Sequence, residues 1–259
     1  PTMGALHDGH LALMQGARER AGDEGSVLVS IFVNPLQFDR RADLASYPRN
    51  LEKDLAACNE VGVDAVFAPD PGEFYAPDHS ITIQETLLSR HLCGATRPGH
   101  FDGVCTVLTR LFQLLRPTHA LFGKKDYQQL AIIRRLVRDL ALPVAIEGLE
   151  TVREADGLAL SSRNLNLAPE DRADAPRIRR ALQAARDLVV TGEQRPTRYL
   201  ETARHHLERE APPSMGIDYL ELVDQETLQP LATVNLPALL ATAVFYGAVR
   251  LIDNIEISP

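Results

Sequence analysis

The sequence predicts an α/β fold, in which a parallel sheet with flanking helices is followed by a smaller α+β domain. Up to about residue 150, short apolar runs alternate with patterns of helical spacing, which is typical of right-handed βαβ units and a parallel sheet. Beyond that point, two charged amphipathic patterns precede stretches that alternate like antiparallel strands. We therefore expect a first domain over residues 1–151 and a second over residues 152–259.

Four apolar runs predict the strands of the first domain. VLVSIFV at Val27–Val33 is continuous and β-branched, which is typical of a strand buried on both faces. DAVFA at Asp64–Ala68, HALFG at His119–Gly123 and VAIEGLE from Val144 are shorter runs of the same kind. Helical spacing fills the intervals, in NLEKDLAACNEVG (with Leu51, Leu55 and Val61 near one face), GVCTVLTRLFQLLRP and DYQQLAIIRRLVRDLALP.

The second domain begins with two amphipathic patterns, PEDRADAPRIRRALQAARDLVVTG and PTRYLETARHHLERE. GIDYLELVD and ATAVFYGAVRLIDN follow them with strand-like alternation. We therefore expect helices first and antiparallel strands after them.

Composition narrows the classes of partner. The formal net charge of -8 argues against a broad nucleic-acid surface, and no apolar run reaches the roughly 18 residues of a membrane span. The three cysteines are odd in number and include no C-x-x-C pair, so we expect Cys58, Cys93 and Cys105 to be free thiols in a reducing cytoplasm. A local basic pocket stays possible within this acidic chain.

Two histidines stand in the opening PTMGALHDGH, at His7 and His10. They precede HLALMQGARER, whose apolar spacing predicts a helix, and we expect Asp8 to cap that helix. A helix N-terminus has unpaired N–H groups and a partial positive charge, so it binds phosphate, and imidazoles there add donors. The alternatives are two exposed loop histidines or a zinc site. Zinc is disfavoured because the zincin motif needs an i, i+4 pair with a Glu between.

Polar side chains also follow two of the predicted strands. In FVNPLQF, Asn34 and Gln37 come at the carboxyl edge of the sheet, where open α/β sheets bind ligands. Their amides suit a small polar substrate that carries hydroxyls and a carboxylate. In GKKDYQQ, Lys124 and Lys125 can contact phosphates, and Asp126 can cap the next helix or contact a metal.

Two further motifs supply arginine and hydroxyl groups. RPGHFDGV contains Arg97, and LALSSRN contains Ser161, Ser162 and Arg163, a combination suited to phosphate binding. Ordinary turn and loop residues are the alternative for each motif taken alone. Their joint placement at strand ends favours a nucleotide site.

Seven motifs follow one another in the order PTMGALHDGH, SIFVNPLQF, YPRNLEKD, RPGHFDGV, GKKDYQQL, DGLALSSRN and RLIDN. Along essentially the whole chain, they resemble the pantothenate synthetase (pantoate–β-alanine ligase) family. The resemblance implies a Rossmann-like domain of the nucleotidyltransferase type with a HIGH-like His7-Asp8-Gly9-His10 signature, a small C-terminal lid domain, and a homodimer. It also implies ATP-dependent condensation of pantoate with β-alanine to pantothenate, AMP and pyrophosphate through a pantoyl adenylate.

The resemblance further implies which residues bind ATP. His10 is implied to be a proton donor and His7 to face the same phosphates, and we choose Lys125 and Arg163 for phosphate charge. The implied ATP-binding residues are Met3, Gly4, Ala5, Leu6, His7, Asp8, Gly9, His10, Gly123, Lys124, Lys125, Asp126, Val152, Leu160, Ser161, Ser162 and Arg163.

The resemblance places pantoate on Gln37 and Gln129, with Gln37 also near β-alanine and Asn34 supporting that pocket. Mg²⁺ is expected with the ATP, contacted by Asp54 of YPRNLEKD.

Two positions depart from the family pattern. Lys124 replaces a usual Glu, and we expect its side chain to point into solvent. Cys93 replaces another usual Glu, which puts a thiol near the site.

Three alternatives to this function stay open at the level of sequence. A relative of the same superfold could adenylate a different acid. An aminoacyl-tRNA synthetase core shares the His-x-x-His pattern, although tRNA binding favours a basic surface. A nucleotide sensor could bind ATP without catalysis. The pair Gln37 and Gln129, together with His10, Lys125 and Arg163, favours the ligase.

The start of the chain carries one more expectation. In the family that the chain resembles, PTMG follows an apolar strand and a preceding helix, and neither stands ahead of Pro1. We therefore expect the natural protein to extend upstream by on the order of 25 residues, about one βα-type unit. We expect the 259-residue chain by itself to be poorly stable and poorly active, because the sheet would lack an inner strand.

Overall fold

The computed structural model describes residues 1–38, 44–45, 47–235 and 237–258. In these residues the helices are α1 Asp8–Ala21, α2 Leu51–Glu60, α3 Pro71–Phe74, α4 Leu92–Thr96, α5 His100–Leu115, α6 Tyr127–Asp139, α7 Pro169–Asp174, α8 Arg177–Arg186 and α9 Pro196–Glu208. The strands are β1 Leu28–Ser30, β2 Ala65–Phe67, β3 His119–Gly123, β4 Ala145–Leu149, β5 Met215–Asp224, β6 Ala238–Tyr246 and β7 Val249–Ile257. Single 3₁₀ turns cover Pro35–Gln37, Leu88–Arg90, Lys124–Asp126, Ser162–Asn166 and Asp187–Thr191.

The chain divides into two compact units. The first comprises Pro1–Thr86, Arg97–Lys124 and Ile132–Glu150, and the second comprises Leu87–Thr96, Lys125–Ala131 and Thr151–Pro259. Two short segments within residues 1–151 therefore cluster with the second unit. The reason lies in their hydrogen bonds: the Gln128 side chain contacts the backbone of Leu88, His91 and Gly94, and the Leu92 N–H donates to Glu221 on β5.

The first unit contains parallel strand pairs, as the sequence predicts. β1 pairs with β2 through Leu28 and Ala65, and β3 pairs with β4 through His119 and Ala145. The helices α2 and α6 stand between the members of these pairs along the chain, which makes each pair a βαβ unit. Thr2 lies parallel to the end of β1, so the loop that follows Thr2 leaves the sheet beside the carboxyl end of that strand.

Two details of the predicted packing in the first unit are wrong. The predicted strand Val27–Val33 pairs as a regular strand only over Leu28–Ser30, and Leu28 is 44% exposed, so burial on both faces does not hold there. On α2, Leu51 and Leu55 are 46% and 42% exposed. The helix instead buries Asp54 and Cys58, one turn apart on another face. Of the three residues that the apolar spacing grouped, Val61 packs against the cluster of Met14, Val29 and Cys58, whereas Leu51 and Leu55 are exposed.

The second unit has the predicted order of helices and then antiparallel strands. β5, β6 and β7 form a three-stranded antiparallel sheet, and α8 and α9 contribute to one core with its strands. The first amphipathic pattern splits into α7 and α8, because Pro176 cannot donate the hydrogen bond that a continuous helix needs.

All three cysteines are free, as predicted, with Cys58 and Cys105 buried and Cys93 half-buried. Of the helices in the described part of the chain, none combines the length and apolar character needed to cross a lipid bilayer.

Candidate active site

The first helix begins on a reciprocal histidine cap. α1 begins at Asp8, so the N-cap is His7 and the expectation that Asp8 caps the helix is wrong. The Nδ1 atom of His7 accepts the Gly9 N–H at 3.2 Å, and Nδ1 of His10 accepts the His7 N–H at 3.3 Å. This is a capping box built from imidazoles. Asp8 is exposed in the first turn, where its negative charge interacts favourably with the helix dipole and stabilises the helix.

The cap also determines which ring nitrogen of each histidine carries hydrogen. A ring nitrogen that accepts a hydrogen bond has no proton, so the neutral rings of His7 and His10 carry theirs on Nε2. The two ring centroids are 4.1 Å apart. The N-terminus of α1 therefore combines backbone N–H groups with two adjacent imidazoles that have a defined tautomer, which suits a phosphoryl group.

A buried carboxylate holds the loop ahead of these histidines. Asp54, 3% exposed, accepts the Ala5 N–H at 3.0 Å and the Leu6 N–H at 2.8 Å, one on each carboxylate oxygen. In the described residues, no group of three His, Cys, Asp or Glu side chains is arranged to hold a metal ion. Asp54 thus contacts the backbone through both of its oxygens, and its contact with Mg²⁺ stays a prediction.

A network of buried amides follows β1. Asn34 is 0% exposed and caps the 3₁₀ turn Pro35–Gln37 by accepting the Leu36 N–H. Its Nδ2 group donates to Gln37 Oε1 at 2.8 Å and to the carbonyl of Gly103 at 3.0 Å. Burial raises the pKa of Tyr75 to about 12, so its hydroxyl stays protonated and donates to Asn34 Oδ1 at 3.1 Å. Asn34 therefore orients Gln37 and has no N–H left for a ligand.

Helix α5 also contacts this network through His100. His100 and Tyr75 are two residues of the network that the sequence patterns did not predict. His100 Nδ1 lies 3.0 Å from the Gln37 carbonyl oxygen. The signal for His100 was present, because it stands in the RPGHFDGV motif. Tyr75 belongs to no motif, and only the folded chain brings it to Asn34.

Gly103 is the contact point between α5 and the Gln37 turn. A Cβ atom at this position would lie 2.3 Å from the carbonyl oxygen of Leu36. We expect Gly103→Ala to lower the free energy of unfolding by about 1–3 kcal/mol, because the helix and the turn must separate. Thermal unfolding checks this, with Gly72→Ala as the matched control, since a Cβ there meets nothing within 4 Å. Equal effects of the two substitutions would contradict the prediction.

The two adjacent lysines after β3 have different surroundings. The Lys124 side chain, 21% exposed, forms an ion pair of 2.5 Å with Glu150 in the first unit. The expectation that Lys124 points into solvent is therefore wrong, and the cause is a carboxylate that follows β4, the strand that pairs with β3. Gly123 ends β3 directly before it.

In the second unit, several of the predicted phosphate ligands line one small cleft. Lys125, Ser161 and Arg163 line it together with Arg250 and Asp253. Within this cleft, Ser161 Oγ accepts the Arg163 N–H at 3.3 Å. Nearby in sequence, the Leu160 N–H donates to the Val152 carbonyl. Ser162 and Asp126 are exposed, and Gln129 is half-buried on α6.

The RLIDN motif on β7 supplies residues to which the sequence analysis assigned no role. Asp253, 3% exposed, forms two hydrogen bonds with Arg153, of 2.7 and 2.9 Å. Asn254 Nδ2 donates to the Lys125 carbonyl at 3.0 Å. Because β7 thus holds the backbone of Lys125, the motif positions a lysine that lies far from it in sequence.

Cys93 contacts one of the residues that line this cleft. Its sulfur lies 3.6 and 3.7 Å from the two terminal nitrogens of Arg250 and 3.4 Å from the Tyr219 hydroxyl. Asp218 fixes the same guanidinium at 2.7 and 2.9 Å. Burial raises the pKa of Tyr219 well above its usual value.

The sequence matches known proteins over almost its whole length. Residues 1–256 match the family described as Pantoate-beta-alanine ligase. The pantothenate synthetase of Akkermansia muciniphila is 56% identical over 257 residues, which cover 99% of this chain and 90% of that protein. The pantothenate synthetase of Solidesulfovibrio magneticus is 51% identical, with coverages of 98% and 88%.

Solved structures agree with these matches in fold. Pantothenate synthetase from Thermus thermophilus has a TM-score of 0.92 and 47% identity, covering 100% of this chain and 92% of its own. Pantoate-beta-alanine ligase from Francisella tularensis, complexed with beta-gamma ATP and beta-alanine, has a TM-score of 0.77 and 33% identity, with coverages of 98% and 87%. The expected α/β fold and the expected family are thereby confirmed, and the chain belongs to the pantoate-beta-alanine ligase family.

Proposed function

We propose that this chain is a ligase that condenses pantoate with β-alanine at the expense of ATP, giving pantothenate, AMP and pyrophosphate. The proposal rests on family membership over residues 1–256 and on the His7–His10 capping box at the start of α1. The capping box carries it, because two imidazoles with defined tautomers at a helix N-terminus are suited to a phosphoryl group on which charge builds.

The reaction has two steps. A carboxylate oxygen of pantoate attacks the α-phosphorus of ATP, the bond from that phosphorus to the bridging oxygen breaks, and pyrophosphate leaves with the electron pair. The β-alanine amine then attacks the acyl carbon, AMP leaves with the electrons of the C–O bond, and the nitrogen loses a proton. The adenylate makes the carboxyl carbon reactive, because AMP is a far better leaving group than oxide.

We propose that four side chains bind the phosphates of ATP and stabilise the negative charge on them. His10 serves as proton donor, His7 contacts the same phosphates, and Lys125 and Arg163 supply positive charge. Such groups contribute by being held in place before the reaction begins. The proposed ATP contacts are completed by Met3, Gly4, Ala5, Leu6, Asp8, Gly9, Gly123, Lys124, Asp126, Val152, Leu160, Ser161 and Ser162.

ATP is proposed to enter as its Mg²⁺ complex, so the metal is part of the substrate. Magnesium usually keeps several waters and binds to substrate phosphates.

We propose that Gln37 and Gln129 bind pantoate and that Gln37 also lies near β-alanine. Gln37 suits this task, because Asn34 occupies its Oε1 atom and thereby fixes its amide. The Nε2 group then donates to oxygen atoms of an acid, for which an amide is a natural partner.

Gln37→Ala is expected to weaken pantoate binding more than ATP binding. Removing the amide leaves polar groups of the substrate without their partner, at a cost of about 1–3 kcal/mol. Initial rates at varied pantoate and at varied ATP give the two KM values. A rise of the same size in both would contradict the assignment of Gln37 to pantoate.

One assay tests the proposed function against its rivals. AMP release is measured from ATP with pantoate and β-alanine together, and with each omitted in turn. The ligase requires both acids for AMP release. A relative with another substrate gives AMP with a different acid in place of pantoate, and a sensor binds ATP but releases neither AMP nor pyrophosphate. Absence of AMP release with both acids present, from protein whose folded state is verified by its thermal unfolding transition, would overturn the proposal.

Two further features are proposed from the family resemblance, namely assembly as a homodimer and a cytoplasmic location. The free thiols of Cys58, Cys93 and Cys105 agree with a reducing compartment. Light scattering on the eluting protein gives the mass of the assembly directly.

A further inference from the structure

We infer that Asp54 is a positioning residue that holds the Gly4–Leu6 turn in the conformation that places the His7–His10 pair. The inference rests on the proposed function, because it assigns a role to Asp54 in preparing the nucleotide site. Asp54 stands in the first turn of α2, and the turn it holds lies 48 and 49 residues earlier in the chain.

The contacts of Asp54 point to the backbone of this turn. Oδ2 accepts the Ala5 N–H at 3.0 Å and Oδ1 accepts the Leu6 N–H at 2.8 Å. A charged acceptor makes such bonds shorter and stronger than those of a neutral one. Gly4 passes so close that a Cβ atom there would lie 2.8 Å from Oδ2. The carboxylate therefore binds two successive N–H groups at a point where only glycine fits beside it.

The turn that Asp54 holds is unfavourable for its own sequence. Gly4 has φ +79°, which glycine tolerates, but Ala5 has φ +52°, in the left-handed region that is costly for a residue with a Cβ atom. The two hydrogen bonds that Asp54 accepts from the Ala5 and Leu6 N–H groups offset that cost. They also fix Leu6, the residue directly before the His7 cap, so an error in this turn moves both imidazoles.

Apolar packing anchors the turn from the same helix. Leu6 packs against the cluster of Met14, Val29 and Cys58, and Cys58 lies one turn beyond Asp54 on α2. Helix α2 thus contributes a polar and an apolar contact to the turn. The carboxylate adds two directional hydrogen bonds to the Ala5 and Leu6 N–H groups, which apolar packing does not supply.

The decisive substitution is Asp54→Asn, which keeps the size of the side chain but replaces one acceptor oxygen by an N–H₂ group. One backbone N–H of Ala5 or Leu6 then faces a donor. We expect faster amide hydrogen exchange at Ala5 and Leu6, and a fall in kcat/KM for ATP of about tenfold or more, the size of one lost charged hydrogen bond. The KM for pantoate should stay unchanged, because Gln37 stands on a different turn.

The control variant is Asn50→Ala on the same helix. Asn50 Oδ1 caps α2 by accepting the Lys53 N–H at 3.0 Å, so its loss destabilises α2 without removing a bond to the Ala5 turn. If Asp54 only stabilised the fold, both variants would lose active protein in proportion to their stability, with the KM for ATP unchanged in each.

The sharpest readout is rescue by Ala5→Gly in the Asp54→Asn background. Glycine adopts positive φ at little cost, so the turn needs less help from the carboxylate. We expect the double variant to recover several-fold in kcat/KM for ATP relative to Asp54→Asn. The full cycle, with Ala5→Gly alone, measures the coupling between the two positions.

The inference would be overturned by unchanged amide exchange at Ala5 and Leu6 in Asp54→Asn, or by no recovery of kcat/KM for ATP when Ala5→Gly is added. It would also be overturned if raised Mg²⁺ restored kcat/KM for ATP in Asp54→Asn, because that result would indicate a metal ligand. Amide exchange needs no catalysis. If the wild-type chain fails to release AMP, the proposed function fails, while the exchange data still decide the role of Asp54.

Discussion

Replacement of His10 by alanine is expected to lower the rate of pyrophosphate release about 10²–10³-fold, the usual loss when one donor to transition-state charge is removed. His10 lies in the first turn of α1, and its Nδ1 atom accepts the His7 N–H, which puts the hydrogen of the neutral ring on Nε2. Pyrophosphate release with pantoate and ATP, without β-alanine, measures the adenylation step by itself.

His10→Gln separates the chemical role of this side chain from its role in the cap. Glutamine at the third helical position accepts the hydrogen bond from the N-cap backbone in an ordinary capping box, so the start of α1 should persist. We expect His10→Gln to unfold at the temperature of the wild type and yet to be as slow as His10→Ala. If His10→Gln has a near-normal rate of adenylation, His10 acts by capping the helix and does not donate a proton.

Lys125→Met is expected to cause the second largest loss, also about 10²-fold or more in adenylation, because it removes a positive charge from the proposed ATP site. Lys125 lines a cleft with Ser161 and Arg163, and its backbone carbonyl accepts a hydrogen bond from Asn254. Methionine keeps most of the length of the side chain, so the loss reports charge rather than packing. Single-turnover formation of pantoyl adenylate measures it.

Two comparisons make the Lys125 result specific. Lys125→Arg keeps the charge and should retain more activity than Lys125→Met. Lys53→Met removes an exposed charge on α2, and Lys53 is one of only three lysines in the chain, which makes it a suitable control for the change in net charge. If Lys125→Met and Lys53→Met have equal rates, Lys125 does not act on phosphate.

Local patterns in the sequence were sufficient for much of the fold. Apolar β-branched runs predicted β2, β3 and β4 to within about a residue at each end, because residues of this type favour extended backbone in a sheet. Alternation in GIDYLELVD likewise predicted β5, one member of the antiparallel sheet. The ordered motifs also sufficed for the family, because each names side chains that stand at the end of a predicted element.

Patterns of spacing failed where a partner from a distant part of the chain decided the outcome. Leu51 and Leu55 have helical spacing, yet α2 buries Asp54 and Cys58, since the backbone of Ala5 and Leu6 needs an acceptor there. Lys124 was expected in solvent, but the pairing of β3 with β4 brings Glu150 to it.

The sequence by itself determined the class of fold, the order of its elements, the family, and which segments carry chemistry, because each of these depends on residue type and on spacing along the chain. Only the tertiary structure decided what the individual side chains do. It made His7 rather than Asp8 the cap, turned Asp54 toward a backbone turn, and placed Tyr75 on Asn34. These contacts join residues two to 49 positions apart through directional hydrogen bonds, whose geometry exists only once the chain has folded.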